Sequence, residues 1–352
     1  MKIREILADA IQKKASDILI VAGCNLAFKI NNQVVEQEGI RLMPDNTKAY
    51  INDLYEIANR SFEKLESKGD DDFSFSISDI GRFRCSAYKQ RGSLAAVLRV
   101  VSFQLPSPEE RQIPKAVTDL YNVKKGLVLV TGSAGAGKST TLACIVDKIN
   151  KNRFGHIITI EDPIEFVHRH DKSIVSQREL EHDTLSYQNA LRAALRQAPN
   201  VILIGEMRDF ETIQTAITAS ETGQLVLSTL HTIGAAKSID RIIDVFPAEQ
   251  QQQVRVQLAM ELQAVVSQQL IPAIDGGLVP AFEIMFVNNA IRNMIKDSKI
   301  NQIDNVIQSS GNEGMVTMDN SIIDLYQKGR ISKENALRYC INSEFVKRKI
   351  DV

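Results

Sequence analysis

The spacing of apolar residues along this chain follows one pattern for about the first hundred positions and another beyond them. Over residues 3–13 apolar side chains recur at helical spacing between Arg4, Glu5, Asp9 and Lys13, which predicts an amphipathic helix. Short runs predict strands over 17–21 and 27–30, and a second helix over 47–58. Two further strands, 81–88 and 94–101, flank Arg91-Gly92, a pair suited to a tight hairpin turn. Residues 1–102 therefore read as an α+β domain. Pro106, Pro108 and Pro114 follow in a stretch with little periodicity. Prolines fix φ and remove a donor, so 103–118 is expected to be an extended linker, with a hinge between Ser102 and Pro114.

Beyond the linker, strands alternate with helices. Strands are expected over 126–131, 156–161, 201–205 and 225–230, and helices over 138–150, 184–197 and 210–221, the last closed by Gly223. Continuous apolar strands between helices indicate an α/β domain, here 119–288, whose parallel sheet is covered on both faces. A long helix is expected after Pro247, with an apolar stripe of Val254, Leu258, Leu262 and Val265. Residues 289–352 read as a helical segment of about three short helices.

Composition narrows the class only modestly. With 352 residues, two domains are the prior expectation. A formal net charge of −1 supplies no basic field, so no nucleic-acid partner is expected. Cys24, Cys85, Cys144 and Cys340 are scattered singly without a C-x-x-C pair, which fits a reducing compartment better than a zinc site. Charges interrupt the first apolar positions, unlike a signal peptide, and no run approaches the ~20 apolar residues of a membrane span. The expected location is cytoplasmic, with membrane association only through partners.

The chemistry begins at Gly132-Ser133-Ala134-Gly135-Ala136-Gly137-Lys138-Ser139, which fits G-x-x-x-x-G-K-[ST] between an apolar strand and a helix. Glycines let successive amides curve around phosphate oxygens, and the helix start adds its positive end. Lys138 can reach the β/γ-phosphates, and the Ser139 hydroxyl can ligate Mg²⁺. The candidate ATP-binding set is this octet with Thr140. In a parallel sheet, ligands sit beyond the carboxyl ends of the strands. Those ends here carry Glu161-Asp162-Pro163-Ile164-Glu165, then Glu206, then Ser228-Thr229-Leu230-His231. A carboxylate is needed to orient an attacking water, and Mg²⁺ needs hard oxygen ligands. Glu161 and Asp162 admit, as the lesser alternative, a role as capping or turn acids. Glu206 follows an apolar strand as a Walker B acid does. His231 or Thr229 suits a sensor of the terminal phosphate.

Two arginine pairs stand out. A two-residue turn at Arg91-Gly92 sets Arg84 opposite Arg99, and Arg192 and Arg196 are four apart on one predicted helix. Like charges so placed are destabilising unless neutralised, and a triphosphate would neutralise them. Both pairs also admit a solvent-facing reading.

These motifs resemble the ATPases of the type II/IV secretion superfamily. Gly132 to Ser139 is similar to their Walker A loop and Ile160 to Phe166 to their Asp box. Leu203-Ile204-Gly205-Glu206-Met207-Arg208-Asp209 is similar to their Walker B strand, and Ser228-Thr229-Leu230-His231-Thr232 to their His box. Glu221-Thr222-Gly223, the run from Ile239 to Pro247, and Ala290-Ile291-Arg292-Asn293-Met294-Ile295-Lys296 resemble the pilus-retraction branch. The resemblance implies a PAS-like N-terminal domain, a RecA-like ATPase domain, and a homohexameric ring with ATP between domains. It implies ATP and Mg²⁺ as cofactors and an inner-membrane pilus platform protein as partner, at the cytoplasmic face of the membrane. By motif, Lys138 and Ser139 bind phosphate and Mg²⁺, and Glu206 supports the metal directly or through water. Glu165 matches the proposed general base, His231 belongs to the catalytic set, and Arg84, Arg99, Arg192 and Arg196 match phosphate-contacting arginines. The chain departs from the family at Ser133-Ala134, at Ala136, and at Asn200, where an acid is frequent. The absence of a tetracysteine element favours retraction over assembly. The expected function is an ATP-hydrolysing motor of pilus retraction. The alternatives are a secretion or DNA-transfer ring ATPase and a non-hydrolysing regulatory subunit.

Overall fold

The structure, a computed structural model, describes residues 2–31, 33–101 and 105–351. The chain divides into two compact units, Met1–Gln104 with Glu165–Val167, and Leu105–Ile164 with His168–Val352.

The first unit runs α1 (Ile3–Gln12), β1 (Asp17–Ile20), β2 (Asn25–Ile30), β3 (Gln33–Arg41), α2 (Pro44–Ile57), α3 (Glu63–Lys68), β4 (Asp70–Ile77), β5 (Gly81–Gln90) and β6 (Ser93–Val101). Among the described residues these strands form a six-stranded antiparallel sheet, ordered β3-β2-β1-β6-β5-β4. α1 buries Ile3, Ile6, Leu7 and Ala10, the stripe its spacing dictates, and α2 buries Ile51, Leu54 and Tyr55. They meet Ile18, Phe28, Phe83 and Leu98 in one core. At the β5–β6 turn Arg91 and Gly92 both take positive φ, 45° and 76°. That two-residue geometry matches strand twist and fixes the register.

The second unit begins with residues 105–114, which correct the expectation of an extended linker. Positions 102–104 of the expected hinge and linker lie outside the described residues. From Ser107 the backbone closes a hydrogen-bonded turn, with Arg111 N donating to Ser107 O, Gln112 N to Glu109 O and Ile113 N to Pro108 O. Ile113 is buried in the core. Then come α4 (Lys115–Thr118), β7 (Gly126–Thr131), α5 (Lys138–Asn152), β8 (His156–Glu161), β9 (Ile174–Glu179), α6 (Tyr187–Ala194), β10 (Val201–Ile204), α7 (Phe210–Glu221) and β11 (Leu225–Leu230). α8 (Ala235–Asp244), α9 (Ala248–Glu261), β12 (Leu262–Pro272) and β13 (Leu278–Phe286) follow, then α10 (Asn289–Lys296), α11 (Ile303–Ser309), α12 (Met318–Gln327), α13 (Lys333–Tyr339) and α14 (Ser343–Ile350).

Among the described residues the sheet has seven strands, ordered β13-β12-β7-β11-β10-β8-β9. β12 through β9 run parallel, while β13 is antiparallel to β12, so the sheet is mixed rather than wholly parallel. Alternate residues of β7 serve opposite faces: Leu127 and Leu129 pack with α7, α8 and α9, whereas Val128 and Val130 pack against α5. The long helix expected after Pro247 stops at Glu261. Leu262 turns to φ −66°, ψ 125°, and from there the chain pairs with β7. The apolar stripe that suggested helix was continued by Leu262 and Val265 of a buried strand. The helix expected over 184–197 is also shorter, starting after the Ser186 N-cap and ending at Ala194. Among the described residues, five α-helices and two short 3₁₀ turns, rather than about three helices, follow β13. No helix among them is long and apolar enough to cross a membrane.

Candidate nucleotide-binding site

β7 delivers Gly132 to the carboxyl end of the sheet, and the loop it opens takes a path only glycine follows easily. Gly132, Gly135 and Gly137 have φ of 144°, 77° and 89°. A Cβ on Gly132 would stand 2.3 Å from the Gln268 carbonyl oxygen, and one on Gly137 2.8 Å from the Gln268 amide nitrogen. Lys138, only 9% exposed, donates to the carbonyls of Gly132 at 2.8 Å and Ser133 at 2.9 Å. Its ammonium is thus held over the curve of the loop. Ser133, Ala134 and Gly135 face solvent, Ala136 is buried, and Ser139 and Thr140 are half-buried in the first turn of α5. A concave run of amides beside a helix start and a retained cation fits a phosphate chain. The hydroxyl of Ser139 and the Glu206 carboxylate are oxygen donors of the kind Mg²⁺ takes.

Neighbouring strand ends bring the other groups alongside. Gly132 N donates to Leu230 O at 3.2 Å and Met207 N to Thr229 O at 3.2 Å, so the loop, the end of β11 and the end of β10 are tied together. Glu206 follows β10 and accepts from both sides. Arg208 Nη2 lies 2.7 Å from one of its oxygens and His231 Nε2 3.1 Å from the other. Burial opposes its ionisation, but the Arg208 hydrogen bond and the His231 and Arg208 charges outweigh that and hold the carboxyl below its usual range. It is therefore a carboxylate at neutral pH. Beside it opens a cavity of about 430 Å³ lined by Arg208, His231, Thr232 and Arg241 among others.

Of the two candidate sensors, Thr229 donates its hydroxyl to Gly205 O at 2.6 Å, which leaves His231, 47% exposed, on the open side. Glu161 accepts from Thr159 at 2.6 Å and Gln177 at 3.2 Å, a local structural role. Asp162 and Glu165 are exposed, and Glu165 groups with the first unit, as do Arg84 and Arg99. Arg84 does lie opposite Arg99, as the turn requires. Asp17, opposite Arg99 on the other side, accepts from its Nε at 3.0 Å, so a carboxylate from β1 supplies part of the neutralisation that suggested a triphosphate. Arg192 and Arg196 are exposed; Arg196 lies past the end of α6 and returns its guanidinium to the Arg192 carbonyl at 3.0 Å, as a C-terminal cap.

Two residues of this region gave no sequence signal. The phenol oxygen of Tyr187 lies 2.8 Å from where a Cβ on Gly205 would stand. Burial first, then the charges of Asp162, Glu206 and Glu161, push its ionisation well above the usual tyrosine range. Gln268 sits on a strand that the pattern hid inside a helix. Arg208 was visible beside Glu206, but its pairing with that acid was not.

The model of the type II/IV secretion system protein family matches residues 1–277. This chain belongs to that family. It is 45% identical over 337 residues to the type IV pilus retraction ATPase PilT of Pseudomonas aeruginosa, covering 96% of this chain and 97% of the relative. It is 38% identical to the type IV pilus ATPase PilU of the same organism, covering 96% of this chain and 88% of that one. Its structure superposes on the crystal structure of the pilus retraction motor PilT with bound ADP at a TM-score of 0.89, with 44% identity over 99% of both chains. Within the family the chain is a PilT-like, nucleotide-binding ATPase of the type IV pilus group.

Proposed function

We propose that this chain is the motor of type IV pilus retraction, coupling ATP hydrolysis to withdrawal of pilin from the fibre. One observation carries the reading. The phosphate loop, Glu206 and His231 meet at adjoining strand ends, in a chain alike over nearly its whole length to a protein named for pilus retraction. Gly132 to Thr140 hold the phosphates, with Lys138 drawn from the loop carbonyls to the β/γ-phosphates. Ser139, with Glu206 directly or through water, would hold Mg²⁺, which would supply neutralisation of phosphate charge. Glu165 acts as general base, and His231 reports the terminal phosphate to Glu206. Arg84, Arg99, Arg192 and Arg196 contact phosphate once subunits assemble as a homohexamer. On this reading residues 1–102 form a PAS-like domain, 119–288 a RecA-like ATPase domain and 289–352 a helical segment, with the described part of 103–118 a folded rather than extended connection. The ring works at the cytoplasmic face of the membrane against a pilus platform protein.

ATPase rate measured across protein concentration, beside light scattering, tests the assembly part. Activity rising with ring formation supports it, and none at any concentration removes the motor reading. Deleting the gene tests direction: surface fibres should accumulate and twitching should stop. The likeness to PilU favours a second reading, a pilus ATPase other than the main retraction motor. Fibre loss that persists after deletion would favour that one.

A further inference from the structure

The phosphate loop is also held from a strand that follows it in sequence by more than a hundred residues. β12 pairs parallel with β7 as far as Ser267 opposite Thr131, so Gln268 comes alongside the start of the loop. Gln268 is 3% exposed. Its backbone carbonyl oxygen closes on Gly132 and its side-chain amide nitrogen on Gly137, near enough that a Cβ at either glycine would collide. Its Oε1 accepts from the Thr141 hydroxyl at 2.7 Å, in the first turn of α5, and Thr141 is itself fully buried. The backbone of Gln268 thus lies against the first glycine of the loop, and its side chain against the last glycine and the helix that follows.

The preceding residue works on the opposite face. Ser267 accepts from Gly234 N at 2.9 Å, in the loop that follows His231. Glu283, paired with Ser267 across β12–β13, accepts from Ala235 N at 2.7 Å at the start of α8. Strand alternation sends successive side chains to opposite faces of a sheet. The Ser267-Gln268 step therefore fastens the His231 loop on one face and the phosphate loop on the other.

We propose that the Gln268 side chain is a positioning group for ATP binding and hydrolysis, setting the end of the phosphate loop through Thr141 and Gly137. The proposal rests on the reading of Gly132 to Ser139 as the phosphate site. Both partners of the hydrogen bond are buried, so its loss leaves a polar group unmatched at the first turn of α5. A residue that merely filled space would be replaced without functional change by methionine, which is of similar length but lacks the amide.

The test uses the full chain with Gln268→Met, Thr141→Val, the double variant and Lys138→Ala. Equilibrium binding of a fluorescent ATP analogue, kcat and KM for ATP, and melting without nucleotide are measured for each. The proposal expects each of the first two to weaken binding about tenfold. The double variant should be no worse than the stronger single, because one hydrogen bond is shared. If Gln268→Met and Thr141→Val lower melting only and bind like wild type, while Lys138→Ala loses binding, the role of Gln268 is overturned alone. If all three bind like wild type, the phosphate-site reading falls together with it. Fully additive losses in the double variant also overturn the proposal.

Discussion

Each unit builds a carboxylate between cations, and the two examples differ in what surrounds them. In the first unit the Asp71 side chain is fully buried. Arg60 approaches it in a bidentate pair at 2.7 Å, the Tyr55 hydroxyl donates at 3.0 Å and Lys64 lies at 3.4 Å. Burial opposes its charge, but the Arg60 and Tyr55 hydrogen bonds and the neighbouring cations still keep its carboxyl below the usual range. In the second unit Glu206 is 16% exposed, and its partners Arg208 and His231 are 74% and 47% exposed beside an open cavity. The first arrangement has its hydrogen-bonding capacity filled from within, so it serves stability. The second keeps its cations at the surface, where a ligand can compete for them. Full burial of the acid and its bonding to the buried Tyr55 and the 22%-exposed Arg60 separate a structural ion pair from a candidate active site.

The largest stability effect should come from breaking the closed example. Asp71→Ala leaves Arg60 and Tyr55 without their acceptor and should cost about 3–5 kcal/mol in chemical denaturation. Glu206→Ala, measured alongside, should cost no more than about 1 kcal/mol. Similar losses in both would erase the distinction. Because Asp71 ionises more readily when folded, its contribution is present above about pH 3.8 and is lost as pH falls through its folded value.

An acid sensitivity of the opposite origin sits in the second unit. His168 is buried, its Nδ1 has no hydrogen-bond partner among the described residues, and burial pushes its pKa down to about 4. The unfolded chain, titrating near 6.5, takes up the proton first. Stability contributed by neutral His168 is therefore complete above about pH 6.5 and declines until about pH 4, by on the order of 3 kcal/mol. Melting curves across that range should flatten in His168→Gln, and an unchanged pH slope would contradict the burial argument.

The smallest effect is expected at Asn200, where the family resemblance leads one to expect an acid. Its Oδ1 accepts from His156 N at 2.9 Å. A carboxylate offers the same acceptor, so Asn200→Asp should change stability by less than about 0.5 kcal/mol and leave turnover within about twofold. A large gain in turnover would show that the acid has a second task.

How much was legible in the sequence follows from where each strand lies. β7, β8 and β11 begin and end where their apolar runs do, because they are interior strands covered on both faces. β3, β4, β9 and β13 went unseen, and all four are sheet edges. β3 carries exposed residues, as at Val34, 60% exposed, so its pattern is faint, whereas β13 is largely buried and its apolar run is broken by Pro280 and Glu283. β12 was hidden for another reason, since Leu262 and Val265 continued the four-residue rhythm of α9. The phosphate loop was readable because its chemistry is local. Asp17 on Arg99 and Gln268 on Thr141 were not, being contacts between residues 82 and 127 positions apart.

The central claim is that Glu206 belongs to an ATP-hydrolysing site rather than to a structural ion pair. Binding of a fluorescent ATP analogue and steady-state turnover, measured together on Glu206→Ala, test it most directly. The claim predicts nucleotide affinity within a few-fold of wild type and turnover reduced by about a hundredfold or more. Hydrolysis at the wild-type rate in that variant would contradict it.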